Sequence, residues 1–280
     1  MERVVVAGVD RSARSRLAAD WAAHEALSHG LPLRVVHVTP LDGLDAPELW
    51  PYRPEAVAPR VAAELAARHP ALRVESDRLA GAAAPALLFQ SRDAEMIVLG
   101  ARGEGGCAGL SLGSTALAVA GAAACPVVLV PSGLACTSLG RRPDKVTLAV
   151  DARDPADGAI GFAFDTARLR GLRLHVLHAG PPPSGETGPT PCSPSAPVAY
   201  AALADREMVL LAETMRPWRD KYPHVRVLED VVLFDPAQAL VRTSGNAELL
   251  VVGRGIGSGL GRVAYTVAQH TRCTLAVVPA

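Results

Sequence analysis

Five short apolar segments occur in the same order in both halves of this 280-residue chain. Residues 4–10 (VVVAGVD) correspond to 146–151 (VTLAVD), an apolar run ending in aspartate. Leu31 to His37 corresponds to Leu172 to His178, and Leu72 to Asp77 corresponds to Val225 to Asp230. Ala94 to Gly100 corresponds to Ala247 to Gly253, and Cys125 to Pro131 to Cys273 to Pro279. Five matched segments in one order identify a tandem duplication of a single domain. The copies are expected at 1–133 and 144–280, joined by a linker at 134–143.

Each copy alternates short apolar strands with longer helical stretches, which argues α/β with a parallel sheet covered on both faces. In the first copy, helices are expected from Ser12 to Gly30, Glu55 to His69, Ala82 to Arg92 and Ser114 to Ala124. Right-handed crossovers then give two tandem doubly wound sheets of five strands each, in order 3-2-1-4-5. Trp21 and Phe162 fall at matching positions of the first helix and are expected in the core. The last strands, Pro126 to Val130 and Thr274 to Val278, sit at sheet edges, and exposed apolar edges need covering. The two copies are therefore expected to pair through them as a pseudo-twofold dimer within the chain, with a homodimer of chains as a further level. Gly180 to Pro197, rich in proline, reads as a surface loop.

Composition excludes several classes. With 28 basic and 28 acidic side chains the formal net charge is zero, so no global field favours nucleic acid or an anionic membrane. No apolar run approaches the roughly 20 residues of a membrane span. Met1-Glu2-Arg3 runs straight into the first strand, which predicts no secretory signal. The five cysteines form no CxxC pair. A disulfide scaffold and a zinc site are not expected, and a reducing cytoplasm fits.

The segment most charged with chemistry follows the fourth strand of the first copy. Gly100 and Gly103 are followed, after nine residues, by Gly113-Ser114-Thr115. Strand, glycine loop and helix start make a phosphate cradle, because glycine admits close approach and free amides at a helix start face an anion. Ligands of doubly wound sheets bind where the winding reverses, here between the first and fourth strands. Asp10 and the glycine loop therefore converge. Asp10 is a candidate to bond a ribose or base group or to help hold Mg²⁺ with phosphate oxygens, or a cap or strand-end residue. Ser114 is a capping residue or a phosphate donor, and Arg102 a phosphate counter-charge or a solvated loop residue. His37 and His178 end equivalent strands with no carboxylate or cysteine at ligand spacing, so they read as structural. Cys125 and Cys273 read as small buried residues. Cys107 lies in the glycine loop, as a redox-sensitive thiol or a tolerated small residue, and Trp50 lies near the expected site mouth.

With these residues the chain resembles the universal stress protein family in its tandem two-domain form. The family signature G-2x-G-9x-G-(S/T) is met by Gly100, Gly103, Gly113 and Ser114, and Asp10 with Ser12 is similar too. Cys107 departs, standing where a larger apolar residue is common. The resemblance implies the family's nucleotide alpha-hydrolase-like fold and ATP binding in the first copy. Val9, Asp10 and Val38 would hold adenine, Leu99 and Gly100 would flank the nucleoside, and Arg102, Gly103, Gly113, Ser114 and Thr115 would surround ribose and phosphates. The cofactor implied is ATP, with Mg²⁺ as an accompanying ion. In the second copy Gly261 aligns with Gly113, the loop is five residues shorter, Ile256 replaces the second glycine and Arg262 replaces the serine. That copy is expected to bind ATP far more weakly or not at all. No Walker lysine motif, HExxH or HxGH-type motif occurs. The function expected is a nucleotide-dependent regulatory protein in a stress response, read by a protein partner. A slow ATPase or nucleotidyl-transfer enzyme, and a scaffold with a vestigial site, stay as alternatives.

Overall fold

A computed structural model describes residues 3–40, 56–104, 112–131, 143–180, 196–255 and 259–280. Trp50, Cys107, nearly all of the expected linker and most of the proline-rich insertion lie outside the described residues. The chain divides into two compact units. The first comprises Met1–Leu134 with Gly257–Leu260 and Thr274–Pro279; the second comprises Ala135–Ile256, Gly261–Cys273 and Ala280.

The first unit alternates β1 (Val4–Gly8), α1 (Ala13–His29), β2 (Leu33–Thr39), α2 (Val57–Arg68), β3 (Val74–Ala80), α3 (Ala83–Gln90), β4 (Ala94–Gly100), α4 (Ser114–Ala122) and β5 (Val127–Val130). Its parallel strands lie in order β3-β2-β1-β4-β5. Val6 stands opposite Arg34 on one side and Ile97 on the other. The central strands β1 and β4 are apolar almost throughout because helices cover both faces. Sequence sets the helix ends: Ser12 caps α1 by accepting from the Ser15 N–H, and Gly30 stops it in the left-handed conformation, φ 65°. In the same unit β10 (Thr274–Pro279) pairs antiparallel with β5, Leu275 opposite Leu129 and Val277 opposite Val127. The pair covers the apolar edge of β5 with a strand of matching character.

The second unit repeats the pattern with β6 (Lys145–Val150), α5 (Asp157–Arg170), β7 (Arg173–Gly180), α6 (Ala196–Lys221), β8 (Val227–Leu233), α7 (Pro236–Ser244), β9 (Leu249–Arg254) and α8 (Arg262–His270). Its strand order, β8-β7-β6-β9, mirrors the first four of the other repeat. The fifth strand expected of this copy is β10, which packs in the first unit.

One core expectation is corrected. Trp21 and Phe162 are only half-buried. In α5 the fully buried aromatic is Phe164, two positions further round the helix, stacked on Tyr222 at 5.2 Å and Trp218 at 6.1 Å. In α1 the sheet-facing stripe is alanine at 18, 19, 22, 23 and 26, so the helix lies close to the sheet with no room for an indole beneath it.

Cys125 and Cys273 are buried as expected. Burial pushes the Cys273 thiol up to about 11. The thiolate is the reactive form, so native protein at pH near 8 is expected to leave Cys273 unalkylated by iodoacetamide, with labelling only after denaturation. Mass analysis of the Cys273 peptide checks this; labelling of the native protein would refute it.

Candidate functional site

The winding of the first unit reverses at the carboxyl ends of β1 and β4, which pair directly. Asp10 leaves β1 there, and the glycine loop leaves β4. The Asp10 carboxylate joins the two. Oδ1 accepts from the Ser12 N–H at 2.8 Å, and Oδ2 accepts from the Glu104 N–H at 2.8 Å. Burial by itself would raise this carboxyl; hydrogen bonds from Ser12, Glu104 and Ser15 outweigh it and hold the group below the usual carboxylate range. An ion pair of 2.9 Å between Arg11 and Glu104 makes a second, exposed tie. Asp10 is thus neither a helix cap nor a free strand-end acid, since Ser12 caps α1.

The glycines differ in what they answer to. A Cβ on Gly103 would stand 2.7 Å from Asp10 Oδ2, so this position is bare to admit the loop clasp. Gly113 is another matter. Its φ is −79°, which any residue adopts, and a Cβ there would find its nearest neighbour at an ordinary 3.6 Å. Nothing within the described chain requires glycine at 113. Gly113 also occupies the N-cap position of α4, so Ser114 is the first helical residue, and no side chain caps this helix. Ser114 as the cap is therefore corrected: the α4 amides of Ser114, Thr115 and Ala116 have no partner within the helix.

A cavity of about 390 Å³ opens at this point, within the roughly 300–1,000 Å³ range of small-molecule sites. Val9, Asp10, Val38, Leu99, Gly100, Arg102, Gly103, Gly113, Ser114 and Thr115, all selected from sequence, line it. Its inner wall is apolar, with Val36 and Leu87 added to Val9, Val38 and Leu99; its rim carries Asp10, Arg102, Glu104 and the start of α4. Leu87 on α3 and His37 on β2 were not among the residues selected. Leu87 carries no local signal, because its place depends on how α3 packs. His37 was visible only as a strand-end residue.

The second unit holds a cavity of about 450 Å³ at the corresponding place. Asp151 repeats one half of the Asp10 arrangement, its Oδ1 accepting from the Arg153 N–H at 3.0 Å. Asp151, Asp154 and Asp157 line the cavity together with Arg254. Helix α8 begins at Arg262 behind Gly261, and the Arg262 guanidinium reaches to 3.5 Å from Asp235. Residues 256–258 of this loop lie outside the described residues.

The two strand-end histidines are held in place by different partners. Both rings turn Nδ1 onto a backbone carbonyl, His37 onto Val9 at 2.8 Å and His178 onto Val150 at 3.0 Å. His178, however, does have a carboxylate: its Nε2 lies 3.1 Å from Glu207 Oε2, and Glu207 is also paired with Arg153. Glu207 comes from the long helix α6, too far along the chain for local spacing to reveal it.

Two doubly wound parallel sheets in tandem, one with a glycine loop clasped at its switch point, define a two-domain α/β protein. The model of the universal stress protein family matches this chain twice, over residues 1–131 and 143–279. The chain is 32% identical over 294 residues to Universal stress protein Rv2005c of Mycobacterium tuberculosis, covering 98% of this chain and 96% of that one. It is also 32% identical over 304 residues to Universal stress protein Rv1996 of the same organism, covering 98% and 94%. A crystal structure of a universal stress protein from Archaeoglobus fulgidus matches the fold with a TM-score of 0.68 at 19% identity, covering 99% of this chain and 96% of that one. The chain therefore belongs to the universal stress protein family, with two tandem domains of that family. Among the described residues no helix is long and apolar enough to cross a membrane.

Proposed function

We propose that the first repeat, residues 1–133, is an ATP-binding regulatory domain, and that the second, 144–280, keeps the fold without that ligand. The observation that carries the reading is Gly113. It is bare for no reason internal to the described chain, and it stands at the cavity beside three unpartnered amides of α4. A group that comes close to the backbone there and accepts N–H bonds is an anion such as a phosphate. The apolar inner wall suits a base, and the polar rim suits ribose and phosphates. In this reading Val9, Asp10 and Val38 surround adenine, Leu99 and Gly100 flank the nucleoside, and Arg102, Gly103, Gly113, Ser114 and Thr115 take ribose and phosphates.

Mg²⁺ enters this reading with the phosphates. Each Asp10 oxygen already accepts a backbone N–H, Oδ1 from Ser12 at the start of α1 and Oδ2 from Glu104 in the loop, which suits Asp10 as the clasp of the site and not as a metal ligand. The ion is left to phosphate oxygens and water. ATP binding is then the signal that a protein partner reads in the cytoplasm. In the second cavity three carboxylates stand against the single guanidinium of Arg254, and Arg262 takes the serine's place at the helix start, an unfavourable setting for a triphosphate.

Calorimetry of the purified full chain with ATP tests both parts. One ATP per chain is expected, with a rise in thermal midpoint as ligand binds the folded state. Two ATP per chain would overturn the assignment of the second repeat. Absence of both heat and thermal shift would overturn the reading for the first.

A further inference from the structure

The histidine at the end of the second strand of each repeat occupies one position in two different surroundings. A carbonyl only accepts, so the His37 contact with Val9 O puts the proton on Nδ1. The neutral ring then bears a lone pair on Nε2. Among the described residues that nitrogen has no partner, and His37 lines the first cavity. In the second repeat Nε2 faces Glu207 at 3.1 Å and donates to it, while Nδ1 lies between the Val150 carbonyl at 3.0 Å and the Ala152 N–H at 3.3 Å. His178 is only 2% exposed and does not line the second cavity. One histidine thus has an unoccupied nitrogen at a cavity, and the other has both nitrogens occupied inside the protein.

Resting on the proposed nucleotide site, we infer that His37 is a base-reading residue, its Nε2 accepting a hydrogen bond from the exocyclic amino group of a 6-aminopurine. The neighbours of His37 on β2, Val36 and Val38, line the same cavity, so the histidine is the side-chain acceptor in the otherwise apolar wall this strand contributes. A 6-oxo purine would set a carbonyl lone pair against that of Nε2, leaving two acceptors unpaired. A purine with hydrogen at position 6 would leave Nε2 merely unpaired. Unmatched polar groups of this kind separate ligands by about tenfold to 100-fold.

The test is calorimetry on the full chain with ATP, purine riboside triphosphate, which lacks only the 6-amino group, and inosine triphosphate, which carries the 6-oxo group. Wild type is expected to bind ATP about tenfold more tightly than purine riboside triphosphate, and inosine triphosphate more weakly still. His37→Phe is expected to bring ATP down to the level of purine riboside triphosphate. His37→Gln, whose Oε1 can accept, is expected to restore part of the preference. A preference for ATP that survives in His37→Phe overturns the inference, as does an equal loss for both nucleotides. Should His37→Phe not fold, the wild-type series still decides, because equal binding of ATP and purine riboside triphosphate overturns it. Failure of wild type to bind any of the three overturns the nucleotide site itself, and this inference with it.

Discussion

A Gly113→Val protein is expected to fold like its parent and to lose about 100-fold or more in ATP affinity. That is the roughly 3 kcal/mol associated with losing hydrogen bonds to a charged group. The two effects separate because Gly113 has ordinary backbone angles and an added Cβ would meet its nearest neighbour at 3.6 Å. Valine is a poorer N-cap than glycine, so stability should fall by only about 1 kcal/mol. The isopropyl group would enter the space beside the α4 amides and hold a phosphate away from them. Gly103→Ala would not serve, since its Cβ would collide with Asp10 Oδ2 at 2.7 Å and disturb the loop clasp directly. The matched control is Gly261→Val, at the aligned position of the second repeat, where an added Cβ meets nothing within 4 Å. That variant should leave ATP affinity unchanged. Calorimetry with thermal melts on the three proteins decides the matter. A Gly113→Val protein that binds ATP as the parent does would remove Gly113 from the site, and loss of binding in Gly261→Val would move ATP to the other repeat.

The sequence made the frame of the site legible because that frame is written locally and written twice. Strand-end aspartates, the two glycine-rich turns and the helix that starts after Gly113 each announce themselves within a few residues, and duplication raised them above chance. The ten residues named for the first site, several of them only through the family resemblance, all line one cavity, at the place where the ends of β1 and β4 meet. What stayed hidden depends on distance along the chain or on helix rotation. Glu207 meets His178 across 29 residues, Leu87 reaches the cavity through the packing of α3, and Phe164 instead of Phe162 turns inward on α5. The role of Asp10 was open for a related reason. A carboxylate at a strand end looks the same in sequence whether it faces a ligand, a metal or, as here, the amides of Ser12 and Glu104.

Glu207→Ala is expected to destabilise the second unit by about 3 kcal/mol, the loss typical of breaking one side of a buried ion pair. Glu207 is 4% exposed and holds two partners, His178 Nε2 and the Arg153 guanidinium. Alanine leaves the His178 N–H buried without an acceptor, whereas Arg153, more than half exposed, turns to water. Most of the cost therefore falls on the histidine. The pH dependence has a definite sign. Burial alone would raise the Glu207 carboxyl, but the bonds from Arg153 and His178 prevail and hold it below its ordinary value. A group depressed on folding stabilises the protein above its unfolded value, and that contribution disappears as pH falls through the folded one. The parent should therefore lose stability in its second unit as pH drops below about 4.5, near the ordinary carboxyl range. Glu207→Ala, already without the contribution, should lose less over the same interval. Hydrogen exchange of the β7 amides, followed at neutral pH and again in acid, resolves the unit concerned without assuming that the whole chain unfolds in one step. Equal protection of β7 in the two proteins at neutral pH would count against the cluster as a stabilising element, and parallel acid losses would count against Glu207 as the titrating group.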